Sequence, residues 1–153
     1  MAKIDIKING NKISKEIPDN VLLSDLLRDG LGLTGTHIGC DTSQCGACVV
    51  HLNGNSVKSC TTLVADCNDG EVITIEGIGN GEKHPMQKAF KNNHGLQCGF
   101  CTPGMIMSSI DLVNKKKNPS EKEIREWLEG NICRCTGYQN IVKAVQEGVK
   151  NMK

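Results

Sequence analysis

Nine cysteines in 153 residues constrain this chain more than any other feature, because eight of them fall into two spaced sets. The first is Cys40-x4-Cys45-x2-Cys48, followed after eleven residues by Cys60. The second joins Cys98-x2-Cys101 to Cys133-x-Cys135 across 31 residues. On a helix, Cys133 and Cys135 would project about 200° apart, at roughly 100° per residue, so the pair belongs in a turn. Eight cysteines so placed must staple the fold, by disulfides or by metal.

The rest of the sequence favours metal. MAKIDIKING lacks the apolar run of an export signal and reads as a strand. No stretch approaches the ~20 apolar residues of a membrane span. The expected setting is therefore cytoplasmic, where thiols stay reduced and cysteine patterns hold metal. An odd total would also leave a disulfide framework with a loose end. With one Trp, one Tyr and two Phe, a core of Ile, Val and Leu split between two small units is thin and needs such a staple. The charge balance, 18 basic against 17 acidic residues, excludes nucleic acid or an acidic membrane as the main partner.

Residues 1–77 read as strands and turns. Ile4, Ile6 and Ile8 alternate with Lys3, Asp5 and Lys7, and Asn9-Gly10 signals a type I′ hairpin returning through NKISKEIP. VLLSDLLRDG carries leucines at helical spacing, with Asp19 or Asn20 as candidate cap and Gly30 as stop. A second hairpin turns at Asn53-Gly54, and EVITIEG supplies a last strand. This is a small mixed sheet with a helix across it. Residues 78–84 form a glycine-rich linker, and 85–153 are helical. Pro85–Asn93 is one helix. Thr102-Pro103, Ser120 with Glu123, and Thr136 with Gln139 cap three more, making a small four-helix bundle. The fold class is α+β.

C-x4-C-x2-C with a later cysteine is the ligand spacing of a plant-type 2Fe-2S cluster. Four thiolates around such a cluster make an anion that inward-turned N–H groups must stabilise, and Gly39 and Gly46 let the loop curl closely enough. In the second set each cysteine pair precedes a helix start, where unpaired N–H groups favour negative charge. Spacing alone leaves structural zinc open there, since zinc also takes four cysteines. A thioredoxin-like dithiol at CGFC lacks its βαβ surroundings, and Rieske ligation lacks histidines beside the cysteines. His37, His51, His84 and His94 read as loop or surface residues, Cys67 as a small buried hydrophobe, and Met105 and Met107 as helix packing. No P-loop, catalytic triad or paired carboxylate stands out.

GCDTSQCGAC, SVKSC, GLQCGFCTPGMIM and GNICRCTGYQNIVKAV together resemble the iron-sulfur subunit of the molybdenum hydroxylases, over nearly the whole chain. That family includes xanthine dehydrogenase, aldehyde oxidoreductase, nicotinate dehydrogenase and aerobic carbon monoxide dehydrogenase. LTGTHIGCDTSQCGAC and HGLQCGFCTPGMIM are most similar to the small subunit of the last.

The resemblance implies a β-grasp ferredoxin-like domain holding one 2Fe-2S cluster on Cys40, Cys45, Cys48 and Cys60. A four-helix domain would hold another on Cys98, Cys101, Cys133 and Cys135. It further implies that Gln97 and Cys135 approach a molybdenum-pterin cofactor on a large partner subunit, although by its sequence alone Gln97 reads as a loop-satisfying amide. Electrons would pass from that cofactor through both clusters to FAD on a medium subunit, within a dimer of heterotrimers. The chain would then be an oxidoreductase subunit without substrate chemistry of its own. Carbon monoxide is the substrate implied by the motifs; an aldehyde, xanthine or N-heterocycle is the alternative. A freestanding ferredoxin-like carrier and a zinc-stabilised interaction module are the readings of another class.

Overall fold

The fold, described for residues 1–152 in a computed structural model, begins with the hairpin that Asn9-Gly10 predicts. Strands β1 (Ala2–Ile8) and β2 (Asn11–Ile17) pair antiparallel, and Asn9 and Gly10 take φ of 48° and 85°, as a type I′ turn requires. Ile4, Ile6 and Ile8 are buried on one face of β1. Strands β3 (Val49–Leu52) and β4 (Asn55–Lys58) form the second hairpin. Strand β5 (Glu71–Ile73) runs parallel to β1 and antiparallel to β3, giving the order β2-β1-β5-β3-β4. Across this mixed sheet lies α1 (Leu23–Asp25), which widens into a π-helical turn at Leu26–Gly30. Leu23, Leu26 and Leu27 pack with Val50, Val64 and Val72. Asp19 and Asn20 do not cap this helix. Instead the Leu23 amide donates to the Thr62 carbonyl at 2.8 Å, a partner distant in sequence.

The second half folds into α2 (Pro85–Asn92), α3 (Thr102–Lys115), α4 (Glu121–Trp127) and α5 (Gln139–Asn151) around Phe90, Met105, Ile124, Ile141 and Val145. The predicted box at Ser120 forms: its hydroxyl accepts the Glu123 amide, and the Glu123 carboxylate accepts the Ser120 amide at 2.8 Å. His84 caps α2 in the same reciprocal way, through Nδ1 and with Gln87. Two predicted caps move. Cys101 rather than Thr102 precedes α3, and Tyr138 with φ of 69° precedes α5, so Thr136 and Gln139 form no box.

Helix α3 joins the halves. Every residue from Gly104 to Val113 is buried, because the helix packs on its neighbours on one side and on β3 and β4 on the other. A helix enclosed on all sides needs polar partners wherever it meets the sheet. His51 supplies one: its Nε2–H donates to the Met107 carbonyl at 2.7 Å. This corrects the reading of His51 as a loop or surface residue, since it sits in β3 and is only 6% exposed. Asp111 supplies another, accepting the Ser56 amide at 3.0 Å and the Lys115 ammonium at 3.0 Å.

Candidate metal centres

The first four cysteines meet because the loop leaving the π-turn curls before β3 while the β3–β4 hairpin carries Cys60 back to it. The Cys45 amide donates to Cys40 Sγ at 3.4 Å and the Ala47 amide to Cys45 Sγ at 3.5 Å. Amides of Cys45, Thr42 and Gln44 pull the Cys40 thiol down to about 6. Gly46 makes the curl possible with φ of 72°, and a Cβ at Gly39 would lie 3.1 Å from Cys45 Sγ. Burial, then the Cys48 thiol and the charges of Cys48, Cys40 and Cys45, push Cys60 up to about 12. A cation held among the four sulfurs would offset that repulsion.

The second four meet between the start of α3 and the turn before α5. Cys135 Sγ lies 3.5 Å from Cys98 Sγ, and the Phe100 amide donates to Cys98 Sγ at 3.5 Å. Thr136 donates its amide to Cys133 Sγ at 3.4 Å. Cys101 is pushed up to about 12, by burial first and then by its hydrogen bond to Cys133. Cys98 and Cys135 are exposed, whereas Cys133 is buried.

Both quartets meet in pairs, Cys40 with Cys45 and Cys48 with Cys60, then Cys98 with Cys135 and Cys101 with Cys133. Among the described residues, no three His, Cys, Asp or Glu side chains gather as they would around one metal ion. Each quartet would supply four thiolates to a 2Fe-2S cluster, and the amides aimed at sulfur would suit its negative charge.

The centres share one wall. The Ile132 amide donates to the Cys45 carbonyl at 2.8 Å, and buried Asn131 Nδ2 donates to the Gly46 carbonyl at 3.1 Å. His37 Nδ1–H donates to the Phe100 carbonyl at 2.7 Å, its ring stacking on Phe100 with centroids 4.6 Å apart. The Lys58 ammonium donates to the carbonyls of Ser43 and Gln44 in the first loop. None of these residues carries a ligand-spacing signal, so spacing could not find them. Gln97 is exposed beside Cys98, and its side chain has no hydrogen-bond partner among the described residues. Leu96, Phe100 and Ile132 are 38%, 46% and 50% exposed close to the exposed sulfurs.

Comparison with known proteins agrees in both halves. Residues 6–76 match the family described as "2Fe-2S iron-sulfur cluster binding domain", and residues 74–146 match the "2Fe-2S binding domain". The latter resolves the choice between zinc and iron-sulfur for the helical half. The nicotine 6-hydroxylase small subunit of Paenarthrobacter nicotinovorans is 43% identical over 94% of this chain and 87% of its own. Caffeine dehydrogenase subunit gamma of Pseudomonas sp. (strain CBB1) is 42% identical over 94% of this chain and 88% of its own. The structure of aldehyde oxidoreductase from Desulfovibrio gigas superposes with a TM-score of 0.95 at 41% identity, covering 99% of this chain but 17% of that one. With both cluster-binding halves matched in order along one chain, this protein belongs to the small iron-sulfur subunits of the molybdenum hydroxylases.

Proposed function

We propose that Cys40, Cys45, Cys48 and Cys60 hold one 2Fe-2S cluster in a domain spanning 1–77, and that Cys98, Cys101, Cys133 and Cys135 hold another in a domain spanning 85–153, with 78–84 as linker. Each cluster, when bound, supplies a one-electron relay. The chain carries electrons from a molybdenum-pterin cofactor on a large partner subunit through the helical-domain cluster, then the ferredoxin-like cluster, to FAD on a medium subunit. The observation that carries this order is the asymmetry of the centres. Two sulfurs of the second quartet, Cys98 and Cys135, are exposed beside apolar side chains, and the Ile132–Cys45 hydrogen bond links that site to the first. We assign Gln97 and Cys135, both exposed, the approach to the pterin. A freestanding carrier would have no use for the second, outward-facing site.

The assembly we propose is a cytoplasmic dimer of heterotrimers; no helix among the described residues is long and apolar enough to cross a membrane. Relatives named for nicotine and caffeine favour an N-heterocycle as substrate, and the aldehyde oxidoreductase favours an aldehyde. The motifs LTGTHIGCDTSQCGAC and HGLQCGFCTPGMIM support carbon monoxide as the second reading.

Purifying the native complex tests both levels. About four irons per chain, two for each 2Fe-2S cluster, and two paramagnetic resonance signals after reduction are expected. Colourless protein containing zinc would refute the relay. Dye reduction with N-heterocycles, aldehydes and carbon monoxide then identifies the substrate class.

A further inference from the structure

The hydroxyl of Thr136 lies 3.1 Å from Cys133 Sγ. Its direction follows from its neighbours. Tyr138 N–H donates to Thr136 Oγ1 at 3.1 Å, occupying an oxygen lone pair and fixing the atom. A metal-bound thiolate has no proton to give, so the Thr136 O–H donates to sulfur. Tyr138 is itself held in a conformation that non-glycine residues seldom adopt, with φ of 69°. Its hydroxyl accepts the Cys133 amide at 2.9 Å. Thr136 and Tyr138 thus grip Cys133 at both sulfur and backbone.

Against the exposed sulfurs of its own quartet, Cys133 is where such a bond counts most. It is 8% exposed, against the exposed Cys98 and Cys135. A hydrogen bond in a dry, weakly polarisable setting is stronger than one in water. Among the described residues, no other sulfur of the two quartets has a side-chain hydroxyl partner; those with partners meet backbone amides or each other. A donor that favours negative charge on a ligand sulfur also favours the more negative, reduced cluster.

We propose that Thr136, through its O–H to Cys133 Sγ, raises the reduction potential of the helical-domain cluster above that set by its four thiolates alone. The proposal rests on the reading of Cys133 as a cluster ligand and adds a positioning residue outside the ligand set.

The test is a redox titration of the full chain, followed by paramagnetic resonance, in wild type, Thr136→Val and Thr136→Ser. Valine keeps the shape and removes the donor; serine keeps the donor. In valine the reduced-to-oxidised ratio of the helical-domain cluster at fixed potential should fall on the order of tenfold, about 59 mV for a one-electron couple. Serine should titrate as wild type, and the ferredoxin-like cluster should stay unmoved in all three. Two intact signals with an unshifted valine midpoint, or an equal shift of both clusters, would overturn the proposal. Should valine fail to retain helical-domain iron, Thr136→Ala replaces it: alanine lowered with serine unchanged upholds the proposal, and equal midpoints overturn it. A wild-type chain without two signals would instead overturn the two-cluster reading.

Discussion

The Ile132 amide donates to the Cys45 carbonyl across 2.8 Å, joining the residue before a ligand of one proposed cluster to a ligand of the other. Around this bond the first loop is clasped between the 130–132 segment and the start of α3. A Cβ at Gly46 would run into the Gly130 carbonyl and lie 2.7 Å from Asn131 Nδ2, and one at Gly104 would run into the Gly46 carbonyl. Gly46 also sits at φ of 72°, where an L side chain costs roughly 1–2 kcal/mol. Gly46→Ala should therefore cost about 2–4 kcal/mol, strain and displaced packing together. Thermal unfolding of the reconstituted chain measures it. An unchanged midpoint would mean the two loops are not clasped.

The difference in exposure between the centres predicts their order of loss. Cys98 and Cys135 are exposed, whereas Cys48 is buried and Cys40, Cys45 and Cys60 are partly so. An iron chelator should strip the helical-domain cluster of the isolated chain first, and the partner subunit should protect it. Cys45→Ser should abolish the ferredoxin-like signal and spare the other, with Cys135→Ser doing the converse. Simultaneous loss of both signals from either variant would show that the clusters do not assemble independently.

What could be read from the sequence was what acts over short range. The cysteine loops were readable because metal-ligand spacing is a property of one turn, and the Ser120–Glu123 cap because both partners lie within four residues. Partners brought by tertiary packing were hidden: Thr62 for the Leu23 amide, and Met107 for His51. Thr136 shows a third case, where the local pattern was present but the helix starts after Tyr138. Its hydroxyl does accept an amide, but that of Tyr138, because the Gln139 amide that a box would use donates instead to the Gly137 carbonyl at 2.9 Å. For its contact with Cys133 sulfur, a hydroxyl next to a Cys-x-Cys pair was the available signal.

His84 gives the fold an acid-sensitive cap. Its Nδ1 accepts the Met86 amide at 3.1 Å, which only an unprotonated nitrogen can do. Burial, and then the nearby His51, hold it below the ordinary histidine range. Because the folded value is depressed, the stability it contributes is full above ~6.5 and is lost as pH falls toward the folded value. His84→Asn, which keeps an acceptor at the cap, should remove that slope. His84→Ala should cost about 1 kcal/mol at neutral pH. Urea unfolding between pH 5 and 8 reads both, and an unchanged slope in the asparagine variant would exclude His84 as its source.

Asp111 should act at lower pH, at the seam between α3 and β4. It is 1% exposed, and its Oδ2 takes both the Ser56 amide and the Lys115 ammonium. Burial raises its carboxyl, but Ser56 and Lys115 outweigh burial and hold it below the usual aspartate range. A depressed carboxyl contributes stability that is full above ~3.9 and is lost as pH falls through the folded value. Asp111→Asn keeps the size but removes the charge, so it should cost about 1–3 kcal/mol at neutral pH. The gap to wild type should close on acidification, as the native carboxyl becomes neutral too. Glu123, pulled down to about 2 first by its hydrogen bond to Lys116, titrates in the same acid range but on the surface of α4, and Glu123→Gln should leave that gap in place. Unfolding curves of both variants between pH 2 and 7 separate them. A gap that persisted at the acid end would show that Asp111 holds the seam by shape rather than by charge.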